Sequence, residues 1–148
     1  MRKFLLTLFA TLLMTANLWA DASGTCGSNL NWTFNSSTGK LTITGSGSMN
    51  SWNNPSYIPW ISVRLGITSV SLPAGLTSIG QNAFYLCSNL TSISVPNRVA
   101  TIDYSAFTGC TGLTEVYVHR STPPYPYRYI VAYATRANVT LHVPYGSS

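Results

Sequence analysis

Glu115, Tyr117 and His119 fall at alternate positions in one short run, and His142 sits in another. Two imidazoles and a carboxylate are zinc-ligand types, and a site would need the three to converge on one point. Spread along an exposed strand face, the same residues instead make a polar patch suited to recognition. Hydrolysis by paired carboxylates has little to draw on. From Ser23 onwards the carboxylates are Asp103 and Glu115, which belong to different parts of a repeating pattern. No Gly-x-Ser-x-Gly elbow and no phosphate-binding loop is present. Nothing in the chain implies a cofactor, and no reaction is expected of it.

Two further groups bear on chemistry. Cys26, Cys87 and Cys110 are odd in number, and Cys87 and Cys110 hold equivalent places in successive copies of one repeat. Stacked coils lie about 4.8 Å apart, close enough for a disulfide by Cα separation. Stacked side chains point the same way, however, so a buried, reduced ladder is expected. Tyr125, Tyr127, Tyr129 and Tyr133 crowd the segment after Pro123-Pro124, with Arg128 and Arg136 among them. Tyrosine with arginine is favoured at interfaces, so Tyr125, Tyr127 and Tyr129 join Glu115, Tyr117, His119 and His142 as candidate ligand-binding residues. The competing reading is that the tyrosines pack over the last coil in place of a cap.

The elements that must position these residues come from that repeat. Leu76–Pro96, LTSIGQNAFYLCSNLTSISVP, returns one period later as Val99–Val118, with Ile79, Phe84, Cys87 and Leu90 matching Ile102, Phe107, Cys110 and Leu113. The step from Ile79 to Ile102 is kept by every matching pair. A period in the low twenties with such aliphatic spacing marks a leucine-rich solenoid. Flanking half-units extend it, so parallel strands are expected near 67–72, 90–95, 113–118 and 138–143, each alternating apolar and polar residues. Ser69, Ser92, Glu115 and Thr140 should then form one outward ladder, and Ser71, Ser94, Tyr117 and His142 a second. NAFYLC and SAFTGC are too short for regular helices and fit a helical turn or 3₁₀ piece. Phe84 and Phe107 should stack inside.

Ahead of the repeats, Asn31–Phe34 and Lys40–Thr44 flank a Gly-containing turn and read as a β-hairpin. With Trp52 and Pro59-Trp60, the hairpin looks like a cap over a solenoid end that would otherwise expose its core and a strand edge. Arg2 and Lys3, the apolar run Phe4–Met14 and Ala20-Asp21-Ala22 predict a secretory signal peptide over 1–22. The expected organisation is that leader, a β cap over 23–64, and a solenoid over 65–148 carrying a Pro/Tyr-rich insertion at 121–136. The fold class is a β-rich α/β solenoid. The 148-residue chain has a formal charge of +5, but its arginines are scattered without a stripe, which argues against nucleic acid. No membrane span is expected in the mature chain.

At these residues the chain resembles the BspA-like leucine-rich repeat family of surface proteins. The motif L-x-x-I-x-x-x-A-F-x-x-C-x-x-L-x-x-I-x-x-P is met by Leu76–Pro96, and Val99–Val118 follows it except that His119 stands in the proline position. The resemblance implies a secreted or cell-surface module that binds extracellular matrix or cell-surface proteins of a host or neighbouring cell, and carries over no single ligand residue. Two other classes stay open: a structural unit of a surface layer, and a carbohydrate-binding accessory module using the tyrosines.

Overall fold

The computed structural model describes residues 20–122 and 139–144. The chain opens with an antiparallel meander: β1 (Ala22–Gly27), β2 (Leu30–Asn35) and β3 (Lys40–Ser48). Alternation in β2 puts Leu30, Trp32 and Phe34 into the core and Asn31, Thr33 and Asn35 outward. The β2–β3 turn is closed by Asn35, whose carbonyl accepts from the Gly39 N–H (2.9 Å) and whose side chain accepts from the Thr38 N–H (3.0 Å). Asp21 secures the entry to β1 by accepting from the Ser36 N–H (2.7 Å). That bond holds its carboxyl below the usual range.

β3 joins the meander to the solenoid, and it does so on two sides. Its first half, Lys40–Thr42, pairs in parallel with β4 (Ser69–Ser71). Its second half, Ser46–Ser48, pairs in parallel with β5 (Gly75–Ile79), which in turn pairs with β7 (Thr101–Ile102). One strand thus lies against two faces of the first coil. The bend that allows this is at Gly45 and Gly47, both in the left-handed region (φ 105° and 100°) that side chains disfavour. A Cβ on Gly45 would also run into the Asn29 carbonyl.

The remaining strands, β6 (Ser92–Val95), β8 (Glu115–Val118) and β9 (Thr140–His142), form a parallel sheet in that order. Its register is that of the repeat: Ser92↔Glu115↔Thr140 and Ser94↔Tyr117↔His142. Two findings differ from the sequence reading. β4 is bridged to β3 and not to β6, so Ser69 and Ser71 sit opposite Lys40 and Thr42 in register, although β4 still lies alongside β6. β4 is short, and its Val70 and the following Leu72 are only half buried where Ile93 and Val95 are fully buried. The sheet β3–β5–β7 was also not anticipated, because β5 and β7 are too short to show a clear alternation.

Helix among the described residues is limited to 3₁₀ segments at Pro55–Tyr57 and Ile61–Gly66. The fold is therefore a β-solenoid in which the α component of the expected class is absent from the described residues. NAFYLC and SAFTGC are tight turns, closed by bonds such as Cys87 N–H to Phe84 C=O (3.1 Å) and Cys110 N–H to Phe107 C=O (3.1 Å). These turns also bond from coil to coil: Phe84 N–H to Ala106 C=O and Leu86 N–H to Thr108 C=O, both 2.8 Å. Backbone groups that a helix would satisfy internally are satisfied here by the neighbouring coil.

An aromatic column runs through the interior. Phe84 and Phe107 stack with centroids 5.3 Å apart, and Trp60 stacks on Phe84 at 6.1 Å. Trp32 and Trp52 meet Trp60 edge-on at 5.7 and 5.5 Å. Such pairs contribute about 0.5–1.5 kcal/mol each beyond area burial. Trp60 also donates its indole N–H to the Ala83 carbonyl (2.8 Å), while Asn82, itself buried, donates its amide to the Trp52 carbonyl (2.7 Å). Trp32, Trp52 and Trp60 thus pack inward and tie the meander to the first coil.

Cys26, Cys87 and Cys110 are free and buried. Burial pushes the Cys26 thiol up to about 11 and Cys110 to about 12. Burial also raises Cys87 well above the usual thiol range, with its neighbour Cys110 adding to the effect and Arg64 partly offsetting it. Cys110 donates its thiol proton to the Phe84 carbonyl (3.0 Å). All three should resist thiol reagents in the native state and react on denaturation, as a timed Ellman assay would show. An unfolded thiol ionises near 9.0 but folded Cys26 only near 11. Stability should therefore be intact below pH 9 and fall as pH rises towards 11, measurable by urea titration across that window.

Candidate functional site

The outward face of β6–β8–β9 collects three of the residues singled out from the sequence. Ile93, Val95, Val116 and Val118 point into the core, so strand alternation forces Glu115, Tyr117 and His142 outward. Cross-strand register sets Tyr117 directly beside His142, and their rings stack with centroids 4.4 Å apart and planes 9° from parallel. Glu115 Oε2 and His142 Nε2 form a hydrogen-bonded pair, with side chains 37% and 44% exposed. Tyr117 is 40% exposed. A surface pair of this exposure contributes little to stability, with a typical value of about 0–1 kcal/mol. What it does is fix the orientation of two polar groups around an aromatic plate.

His119 is separate. It follows β8 where the repeat would place proline, and its Nε2 lies 2.6 Å from Ser94 Oγ, towards β6 rather than β9. The structure therefore splits the histidines, with His142 on Glu115 and His119 on Ser94. Among the described residues no group of three His, Cys, Asp or Glu side chains could hold a metal ion. Asp103 accepts from Ser105 (3.3 Å) in a turn at the far side of the coil, apart from Glu115. Tyr125, Tyr127 and Tyr129 lie outside the described residues. Sequence reading missed Asn82, which holds a positive φ of 59° and a buried side chain. Its signal was its place at the start of a turn opposite Trp52, which becomes visible only once the cap is placed. Among the described residues no helix is long and apolar enough to cross a membrane.

Residues 63–129 match the BspA type leucine rich repeat region, in six copies. The repeats are BspA-type leucine-rich repeats. The match begins inside the 3₁₀ segment Ile61–Gly66, so the BspA-type repeat pattern starts before the first full coil. A crystal structure of a leucine-rich repeat protein from Eubacterium ventriosum ATCC 27560 is similar, with a TM-score of 0.58 and 23% identity over 84% of this chain. The chain spans 37% of that protein's length. At that identity the likeness is one of fold. No curated protein matches the sequence. Leucine-rich repeats of this type are generally a non-enzymatic binding fold.

Proposed function

We propose that this BspA-type repeat protein is a secreted or cell-surface binding module that adheres to host or neighbouring-cell proteins through the face of β6–β8–β9. The observation that carries the reading is the Tyr117–His142 stack with Glu115 bonded to His142 on the solvent side of a rigid sheet. Tyrosine is among the residues that dominate interface energetics when a partner covers them. Here the ring is already held by its stack, so little freedom is lost on binding. The Glu115–His142 pair offers a hydrogen-bonding rim beside it, His119 extends that rim, and Tyr125, Tyr127 and Tyr129 supply further aromatic contact from the segment that follows.

Replacing Tyr117 by alanine should weaken binding to the protein partner by about tenfold or more, equivalent to about 1.4 kcal/mol or above. The melting temperature should hardly change, because the ring is on the surface. Biolayer interferometry with a melting curve on the same sample measures both. Loss of melting temperature with unchanged affinity would assign Tyr117 to the fold alone. Replacing Tyr125, Tyr127 and Tyr129 together addresses the carbohydrate alternative: loss of glycan binding with intact protein binding would favour it.

A further inference from the structure

We propose that a second binding site lies on the β3–β5–β7 side of the solenoid, at Asp103 and Tyr104, and takes one sugar unit of a partner's glycan. It uses other residues than the β6–β8–β9 face and does not depend on that reading. The repeat itself makes the depression. Gly80 and Asp103 hold equivalent places in successive coils, each one residue after the matched pair Ile79 and Ile102. A side chain at Gly80 is excluded, because its Cβ would run into the Asn50 carbonyl. One coil therefore presents bare backbone where the next presents a carboxylate. Ser78 and Thr101, paired in register on β5 and β7, border this floor, and Ser51 borders it from the cap side. The space is about 280 Å³, just under that of pockets for drug-sized ligands and enough for a single ring.

The polar groups match a ring of hydroxyls. Asp103 uses Oδ1 to accept from the Ser105 N–H and hydroxyl, both at 3.3 Å, and among the described residues Oδ2 keeps its acceptor capacity. A carboxylate oxygen accepts from a sugar hydroxyl in a charge-assisted bond, stronger than a neutral one. Ser51 Oγ accepts from the Gln81 N–H (3.1 Å), which leaves its own proton to donate. Ser78 and Thr101 add two hydroxyls that can both donate and accept. Tyr104, 54% exposed, supplies an apolar ring face against which the C–H side of a pyranose can lie. Other occupants fit less well. The carboxylate repels an anion, and among the described residues no three His, Cys, Asp or Glu side chains gather for a metal. A peptide added as a strand needs a long edge, and β7 is two residues long. Apolar side chains find no slot either, because Ile79 and Ile102 are sealed in the core beneath.

The test is an amide NMR titration of the full protein with the methyl glycosides of glucose, galactose, mannose and N-acetylglucosamine. Arginine with both ends blocked serves as the control cation. At least one glycoside should give saturable shifts centred on Ser78, Gly80, Asp103 and Tyr104, with a Kd in the millimolar range. Tyr104→Ala and Asp103→Asn should each weaken it by about tenfold. Asparagine still offers Ser105 an acceptor oxygen, so the turn is kept. Tyr104→Phe retains the ring and should bind nearly as the wild type does, and Tyr117→Ala should change nothing. Absence of localised shifts with every glycoside, or indifference to both Tyr104→Ala and Asp103→Asn, would overturn the sugar site. Shifts from blocked arginine alone would assign Asp103 to a basic side chain and overturn it too. Failure here with Tyr117 still needed for protein binding would leave the sheet-face reading standing. Glycoside shifts in a protein that binds no matrix or cell-surface protein would uphold the sugar site and reject that reading.

Discussion

Phe84→Ala will lower the free energy of unfolding by about 3–5 kcal/mol, a large part of the roughly 5–15 kcal/mol that holds a small domain together. The ring is fully buried between Trp60 on one side and Phe107 on the other. Neither neighbour can move into the space, because each is fixed from beyond: Trp60 by its bond to Ala83 and its two edge-on tryptophans, Phe107 by the turn that bonds to Phe84 and Leu86. The void therefore persists, and cost rises with the void. Phe107→Ala should cost less than Phe84→Ala, since among the described residues Phe107 has a ring neighbour on one side where Phe84 has two. Urea denaturation with matched slopes would rank them. An equal or reversed order would mean that the column is packed more tightly beyond Phe107 than beside the cap.

Trp60→Ala should be about as damaging, and for a second reason. It removes a fully buried indole and also leaves the Ala83 carbonyl, sealed in the core, without its donor. The transfer and cavity terms give about 3–5 kcal/mol, and the orphaned carbonyl adds about 1–3 kcal/mol. Trp60→Phe separates the two. It keeps a ring against Phe84 but loses the N–H, so it should cost about 1–3 kcal/mol. The alanine variant should also bind a hydrophobic dye, because the cap meander and the first coil meet at this residue. A Trp60→Ala protein with a wild-type urea midpoint would show that the cap is held by strand pairing of β3 alone.

The solenoid was legible because its information is repeated. Ile79, Phe84, Cys87 and Leu90 each recur at one fixed step, as Ile102, Phe107, Cys110 and Leu113. A stacked coil needs like residues at like positions, so period and burial express one constraint. The register of Ser94 with Tyr117 followed from the same step, and that of Tyr117 with His142 from a step two residues longer. Trp60 was harder to place. It stacks on Phe84 from the coil before, but it stands one residue off the repeat step, which falls on Ile61, and its flanking residues had already lost the pattern. The course of β3 was not legible at all. Lys40–Ser48 reads as one strand of a hairpin, and its second set of partners depends on two glycine bends and on the coil that carries Gly75–Ile79.

The most direct test is binding of purified protein spanning 21–148, monomeric by light scattering, to a panel of immobilised extracellular-matrix and cell-surface proteins with polysaccharides alongside. The account predicts saturable binding to at least one protein, lost in a Phe84→Ala, Phe107→Ala variant whose coils no longer stack. It also predicts a sharp reduction by Glu115→Gln with Tyr117→Ala in a folded protein. Binding to none of the proteins, or binding indifferent to Glu115 and Tyr117, would contradict it and leave the chain a structural unit or a glycan-binding one.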